Sequence, residues 1–265
     1  MTALVLIHAF PLSGAMWGHE VRALRDAADP IIAPSLPGFG GTAVPRGDAS
    51  MDDYADSVVA AMDAAKIDRA AVAGLSMGGY VAFALWRRHR DRIERLFLAD
   101  TRAEADTEEA RDKRLRLAAL IREHGIEALL KTPPQWLRKD SPHWDPLLKM
   151  IRGQAAEAVA QGSVAMAHRP DSRPDLPTID VPTAVVVGEE DAITPLEMSQ
   201  TMSDAIAGAT LSIIPSAGHL ANIEAPAAFG TALRAWLRRT ALSSARRMSR
   251  ASIPPAQQRC PPSTA

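Results

Sequence analysis

The sequence predicts an α/β protein, a mostly parallel β-sheet with helices on both faces and an all-helical insertion between two of its strands. Three observations carry this prediction. Short apolar runs, of the kind a fully buried parallel strand shows, alternate with helix-like segments, which is the pattern of βαβ units. Between residues 101 and 181 the alternation stops and no strand-like run remains. The composition, 47% hydrophobic and 23% charged over 265 residues, is that of an ordinary soluble globular chain with room for one large domain.

Taken in order, Leu-Val-Leu-Ile at residues 4–7 reads as a buried strand, and residues 31–33 as a second, ending in the turn-rich Pro34-Ser35-Leu36-Pro37-Gly38-Phe39-Gly40-Gly41. Residues 51–65 read as a helix, with Ser50 as N-cap and Asp52 and Asp53 in its first turn, where negative charge meets the positive end of the helix dipole. A strand at 70–73, a helix at 80–88 and a strand at 93–99 follow. The charge-dense stretch 104–124 has Leu115, Leu117, Ala118 and Ile121 on one side and Gly125 as its C-cap. Residues 126–130 are short and apolar, Thr132-Pro133-Pro134 breaks the pattern, and 147–167 is helical again. Strands at 183–187 and 211–214 and a helix at 226–239 complete the series. The expected organisation is a core of residues 1–100 and 181–240, a helical cap at 101–180, and a tail at 241–265. The tail has four arginines, four prolines, five serines and no acid, and reads as disordered because it lacks the apolar surface to offset ordering.

Several function classes are excluded. A formal net charge of −1 offers no basic field for nucleic acid or an anionic membrane. The one cysteine, Cys260, allows neither an internal disulfide nor a cysteine-based zinc site. No apolar run approaches the roughly 20 residues of a membrane span, and the N-terminus lacks a basic n-region and cleavage site, so a cytoplasmic address is expected. Gly38-Phe39-Gly40-Gly41-Thr42-Ala43 fits a dinucleotide fingerprint on paper. Val44-Pro45-Arg46-Gly47 follows it rather than a helix, so no helix N-terminus awaits a pyrophosphate. No P-loop or H-E-x-x-H occurs, and neither cofactor nor metal is implied. Arg87-Arg88-His89-Arg90-Asp91-Arg92 reads as a solvated helix end.

The chemistry gathers at Gly74-Leu75-Ser76-Met77-Gly78-Gly79, a G-x-S-x-G pattern between a predicted strand and a predicted helix. So sharp a turn crowds the residues two places either side of the serine, which explains the glycines. It also projects the serine hydroxyl above the sheet and puts the Met77 N–H at a helix N-terminus, aimed at a developing oxyanion. The hydroxyl needs a base. Of seven histidines, His89, His124, His19, His143 and His168 follow no strand. His8 and His219 each do; His8 is expected to shape the loop at the first strand's end, leaving His219 in Ala217-Gly218-His219 as the base. Asp191, after the strand at 183–187, is the candidate acid, with Asp100 after the strand at 93–99 as its rival. The order Ser76, Asp191, His219 is that of a serine triad on a parallel sheet. Phe10, in the loop after the first strand, is the second oxyanion donor. Trp136, Ile193 and Leu220 are candidate apolar walls for substrate.

Over residues 3–240 these features resemble the α/β-hydrolase superfamily: His8-Ala9-Phe10-Pro11-Leu12 with Trp17, Leu36-Pro37-Gly38-Phe39-Gly40-Gly41, the elbow at Ser76, Gly188 to Asp191 with Thr194-Pro195, and Ala217-Gly218-His219. A narrower similarity, to carboxylesterases and 3-oxoadipate enol-lactonases, rests on Ala99-Asp100-Thr101-Arg102-Ala103-Glu104-Ala105-Asp106 and Arg169-Pro170-Asp171-Ser172. The resemblance implies cleavage of a small-molecule ester or lactone through an acyl-enzyme. It leaves C–C bond hydrolysis, cofactor-free perhydrolysis or haloperoxidation, and a slow-turnover ligand sensor as alternatives. Ala9 stands where the family usually has glycine. The chain starts at the family's third strand, which leaves a sheet edge exposed or in a homodimer contact.

Overall fold

The computed structural model describes residues 1–239; the basic tail at 241–265 lies outside the described residues. Six strands, β1 (Leu4–Ile7), β2 (Ile31–Ile32), β3 (Ala70–Leu75), β4 (Ile93–Ala99), β5 (Thr183–Gly188) and β6 (Thr210–Ile214), form one sheet in the order β2-β1-β3-β4-β5-β6. Every neighbouring pair is parallel. The chain moves outward from β1 to β2 and then reverses to β3 on the other side. Right-handed crossovers therefore put helices on both faces.

One layer comprises α1 (Gly18–Ala23) and, late in the chain, α10 (Pro226–Leu237). Phe97 of β4 points into this layer, with its ring centroid 5.5 Å from Phe229 and 5.3 Å from Trp236. The other layer holds α2 (Met51–Ala64), α3 (Met77–His89) and α8 (Leu196–Ala205). The helix at α2 starts where expected. Ser50 Oγ accepts the Asp53 N–H and the Asp53 carboxylate accepts the Ser50 N–H, a reciprocal capping box. In β1, β3 and β5 every residue is buried, which is why these strands read as continuous apolar runs. The edge strand β2 is two residues long, and its partner at the far edge, β6, exposes Thr210 and Ile213. So short an edge offers little template for pairing with another chain.

Between β4 and β5 the chain forms α4 (Glu108–His124), α5 (Glu127–Leu130), α6 (Trp144–Arg152), α7 (Ala156–Ala167) and a 3-10 turn at Arg173–Thr178. Two boundaries differ from expectation. The helix predicted from residue 104 begins at Glu108, capped by Thr107 Oγ1 accepting the Ala110 N–H. Residues 102–106 are instead non-helical, bent at Ala103-Glu104 and tied down by ionic contacts described below. The helix predicted as 147–167 is two helices, broken at Gly153-Gln154-Ala155. The break lets Gln154 Oε1 accept the Gly40 N–H at 2.8 Å, tying the insertion to the loop after β2. Predicted strand 70–73 runs two residues further, to Leu75, so that Ser76 sits directly between strand and helix. The predicted strand 31–33 and helix 226–239 are each shorter, and the short helices α1 and α9 (Ala221–Glu224) have no counterpart in the prediction. Among the described residues no helix is long and apolar enough to cross a membrane.

Candidate active site

Ser76 joins β3 to α3 with φ 55° and ψ −114°, a left-handed geometry rare for a residue with a Cβ. Such strain costs roughly 1–3 kcal/mol and persists only where the surroundings over-determine it. Here they do. The Ser76 N–H donates to Ala99 O at the end of β4, and its carbonyl accepts Thr101 Oγ1 at 2.8 Å. A Cβ on Gly74 would stand 2.2 Å from Gly78 O, and one on Gly78 would stand 2.2 Å from Ile7 O. The glycines are thus required by close approach of α3 to β3 and β1.

The chain brings Ser76, Asp191 and His219 together. His219 is 2% exposed; its Nε2 lies 2.8 Å from Ser76 Oγ, and its Nδ1 lies 2.9 and 3.0 Å from the two oxygens of Asp191. A neutral imidazole carrying its proton on Nδ1 satisfies both contacts: it donates to the carboxylate and accepts the hydroxyl. Asp191 sits on the turn after β5. Its Oδ1 also accepts the Ile193 and Thr194 N–H groups, and its Oδ2 accepts Thr194 Oγ1 at 2.6 Å. Burial pushes this carboxyl up, but attraction to the positive charge His219 carries when protonated, together with the hydrogen bonds from His219 and Thr194, outweighs it and holds the carboxyl below its ordinary value. Thr194 is a site residue the sequence reading missed. Its signal was the D-x-x-T spacing, which lets a side chain and two N–H groups close on one carboxylate.

The rival Asp100 is fully buried but engaged elsewhere. Its Oδ1 accepts the Gly188 N–H at 2.7 Å and its Oδ2 the Ala221 N–H at 3.3 Å, bridging β5 to α9. Burial and the charge of Asp191 push its carboxyl well above the ordinary range. His8, also fully buried, shapes the loop after β1. Its Nδ1–H donates to Ala9 O, its Nε2 accepts the Leu36 N–H, and its ring meets Phe39 edge-on at 5.3 Å. Burial lowers its pKa to about 4, against a smaller opposing effect of the Ala9 hydrogen bond, so it remains neutral near pH 7. Ala9 O additionally accepts the Leu12 N–H, and the Ala9 N–H points to Met16 Sδ. His89, at the end of α3, is part-exposed as expected and also pairs with the exposed Asp56 at 2.7 Å.

Met77 opens α3; Ser76 O takes the Gly79 N–H, while the Met77 and Gly78 N–H groups have no intrahelical acceptor. Phe10 follows β1 and is 8% exposed; its ring packs against Gly162 of α7, where a Cβ would meet Phe10 Cδ2 at 3.2 Å. Leu220 is fully buried and its N–H donates to Trp136 O at 2.9 Å. Trp136 is 3% exposed and belongs to the continuous core cluster; Ile193 is half-buried and packs against it. His19 and His143 flank a cleft of about 310 Å³ between α6 and α9, floored by Met16, Leu147 and Ile223. Among the described residues no group of three or more His, Cys, Asp or Glu is placed to hold a metal ion.

A strained serine at a strand–helix turn, beside the point where a parallel sheet reverses its order, is the architecture of an α/β hydrolase. The chain belongs to the alpha/beta hydrolase family, whose sequence model matches residues 4–232. It is similar to a thermophilic esterase from Thermogutta terrifontis, at 37% identity and TM-score 0.85 over 90% of each chain. It is similar to the enol-lactonase from Burkholderia xenovorans LB400, at 31% identity and TM-score 0.81 over 90% of this chain and 92% of that one. Among curated sequences it is similar to 3-oxoadipate enol-lactonase 2 of Acinetobacter baylyi, 28% identical over 243 residues and 89% of each chain.

Proposed function

We propose that this protein is a serine hydrolase that cleaves carboxylic esters or lactones through an acyl-enzyme. The observation that carries the reading is the imidazole of His219, with Nε2 2.8 Å from Ser76 Oγ and Nδ1 2.9 Å from Asp191 Oδ2. Ser76 Oγ attacks the carbonyl carbon while His219 Nε2 takes its proton. Asp191 keeps the proton of the neutral ring on Nδ1 and stabilises the imidazolium that forms. The Met77 and Phe10 N–H groups donate to the oxyanion, and the dipole of α3 adds to the field. His219 then hands its proton to the departing alkoxide, which leaves as the alcohol or, from a lactone, stays tethered to the acyl group. A water molecule, deprotonated by His219, attacks the acyl carbonyl, releases the acid and restores Ser76. This cycle uses no cofactor. Ile193, Leu220 and Trp136 are assigned to the apolar walls around the acyl or alcohol arm. The likeness to an esterase and to enol-lactonases supports this substrate class over the other reactions of the fold.

The test is steady-state release of p-nitrophenol from short acyl esters. Wild-type protein should turn over many times. Ser76→Ala should lose on the order of 10⁶-fold in kcat with an unchanged melting temperature. Activity of the alanine variant within tenfold of wild type would sink the mechanism, and a single burst without steady state would favour a sensor.

A further inference from the structure

The loop carrying His219 is not held by the triad alone. On α9, five residues further on, the Glu224 side chain is 1% exposed and ion-paired with a half-exposed arginine, Arg138. Its Oε2 accepts the Gly218 N–H at 2.7 Å, on the residue immediately before His219. Its Oε1 accepts the backbone N–H of Arg138 at 3.1 Å, from the loop between α5 and α6 of the insertion. The Arg138 guanidinium lies 3.6 Å from Glu224 Oε1 on one side and 3.6 Å from Glu190 Oε1, next to Asp191, on the other. Leu220, immediately after His219, donates its N–H to Trp136 O at 2.9 Å. Residues 136–138 and 218–220 thus lie side by side, and a Cβ on Gly218 would meet Arg138 N at 3.3 Å and Leu137 C at 3.4 Å.

We infer that Glu224 is a positioning residue for the base, clamping the His219 loop to the insertion so that Nε2 stays within hydrogen-bond reach of Ser76 only while the insertion is seated. The chemistry of the carboxylate is what suits it to the role. Two backbone N–H groups from different elements converge on it, and the carboxylate meets them without setting any donor of its own against them: Oε2 takes the Gly218 N–H, and the Arg138 N–H is shared between Oε1 at 3.1 Å and Oε2 at 3.3 Å. Glutamine would keep the volume but set an NH₂ group against one of the two donors. A buried N–H left without its acceptor would then push one of the two loops away. Ser76 does not depend on this clamp, because β4 fixes it. The Asp191 turn is tied to the His219 loop by the Glu190 N–H to Ala217 O bond, so loosening Glu224 acts on the base and its acid while the serine stays in place.

This inference rests on the proposed serine-hydrolase reading, and its experiment separates the two. In the full chain, Glu224→Gln should lower kcat about 10-fold to 100-fold, the loss typical of a catalytic group misplaced by an ångström, with KM nearly unchanged. The rate of covalent modification of Ser76 by a fluorophosphonate should fall in step with kcat. Arg138→Ala, which keeps the backbone donor, should stay within about fivefold of wild type, the ceiling for a part-exposed ion pair. A purely structural Glu224 would lower the melting temperature and leave kcat and fluorophosphonate rate intact for the folded, titrated enzyme; that result overturns the inference while leaving the triad standing. Where Glu224→Gln does not fold, amide hydrogen exchange in the wild-type protein decides. The Gly218 and Arg138 N–H groups should both be protected, and rapid exchange at either one overturns the clamp.

Discussion

In β1, β3 and β5 every residue is buried, whereas α4, the longest helix of the insertion, buries only Ala118 and Ile121. The sheet is held by apolar burial and backbone ladders. The insertion packs on it through α7, whose residues 158–167 are all buried, and is tied down at its necks by carboxylates and arginines. Both necks of the insertion meet at Asp106, whose carboxylate is fully buried and contacts Arg102, Arg114 at 2.6 Å and Arg169 at 2.8 Å. Arg169 also donates to Glu104 O and lies 4.2 Å over the Tyr80 ring on α3, one turn past Ser76. The Ser172 N–H to Ala103 O bond closes the same junction. The contrast teaches a division of labour. Ser76 is set by elements that cannot shift without opening the core, while the neck of the insertion adds a buried ionic cluster to the apolar packing of α7.

The largest effect that sharpens this contrast lies in the sheet-borne site. Asp191→Asn should cost about 10⁴-fold in kcat, because the amide cannot hold the proton of His219 on Nδ1. Asp100→Asn should cost far less in kcat, since Asp100 bonds backbone N–H groups of β5 and α9 rather than the His219 ring, and its carboxyl is already pushed towards the neutral form. Kinetics of the pair decide the assignment; the reverse ranking would move the acid to β4.

Next comes the junction. Asp106→Asn should destabilise the protein by about 3–5 kcal/mol, the penalty for stripping a buried ion pair of one partner. Burial pushes the Asp106 carboxyl up, but the Arg169 hydrogen bond and the charges of Arg114 and Arg169 outweigh it and hold the carboxyl below its ordinary value. A depressed folded-state pKa gives stability that is present above the unfolded value of about 3.9 and is lost as pH falls through the folded value. Denaturant titrations below pH 4 should therefore show a steeper acid loss in wild type than in Asp106→Asn. Equal slopes would mean the cluster carries no net stability.

Trp136 joins the two regions, and its burial now favours packing. Trp136→Ala should cost about 3–5 kcal/mol in chemical denaturation, the usual range for a buried aromatic. If the ring also lines the substrate site, the ratio of kcat/KM between short and medium acyl esters will change as well; an unchanged ratio assigns it to packing alone. Gly78→Ala tests the elbow itself. Its Cβ would stand 2.2 Å from the backbone Ile7 O, which has no side-chain freedom to move aside, so overpacking should cost at least about 1–3 kcal/mol. The displaced start of α3 should lower kcat more than KM, and a variant as active and as stable as wild type would show that the elbow has slack.

The alternation of strands and helices, the glycine-flanked serine and the polar loops after β5 and β6 were legible because each is a local pattern. Residues 4–7 and 93–99 coincide with strands to the residue. The helix at 51–65 was legible from its cap, because Ser50 and Asp53 lie three residues apart and need no other part of the chain. Where partners are distant the reading failed. Residues 104–107 have helical composition, but Asp106 is drawn off by Arg169, 63 residues away. The helix break at Gly153 follows from Gln154 reaching Gly40, 114 residues away.

The candidate site divides along the same line. Which residue types stand after each strand is written in the sequence, and so is the chain order Ser76, Asp191, His219. Which of two carboxylates meets His219 is not, because Asp100 and Asp191 both follow strands and the choice depends on where β4, β5 and α9 place them relative to one ring. Glu224, which joins Gly218 to Arg138, itself 86 residues from Glu224, belongs to the same category; Thr194, three residues from Asp191, does not. A hydrogen bond to a buried carboxylate is decided by ångström-scale convergence of segments that sequence spacing does not relate, and only the packed tertiary structure brings those segments together.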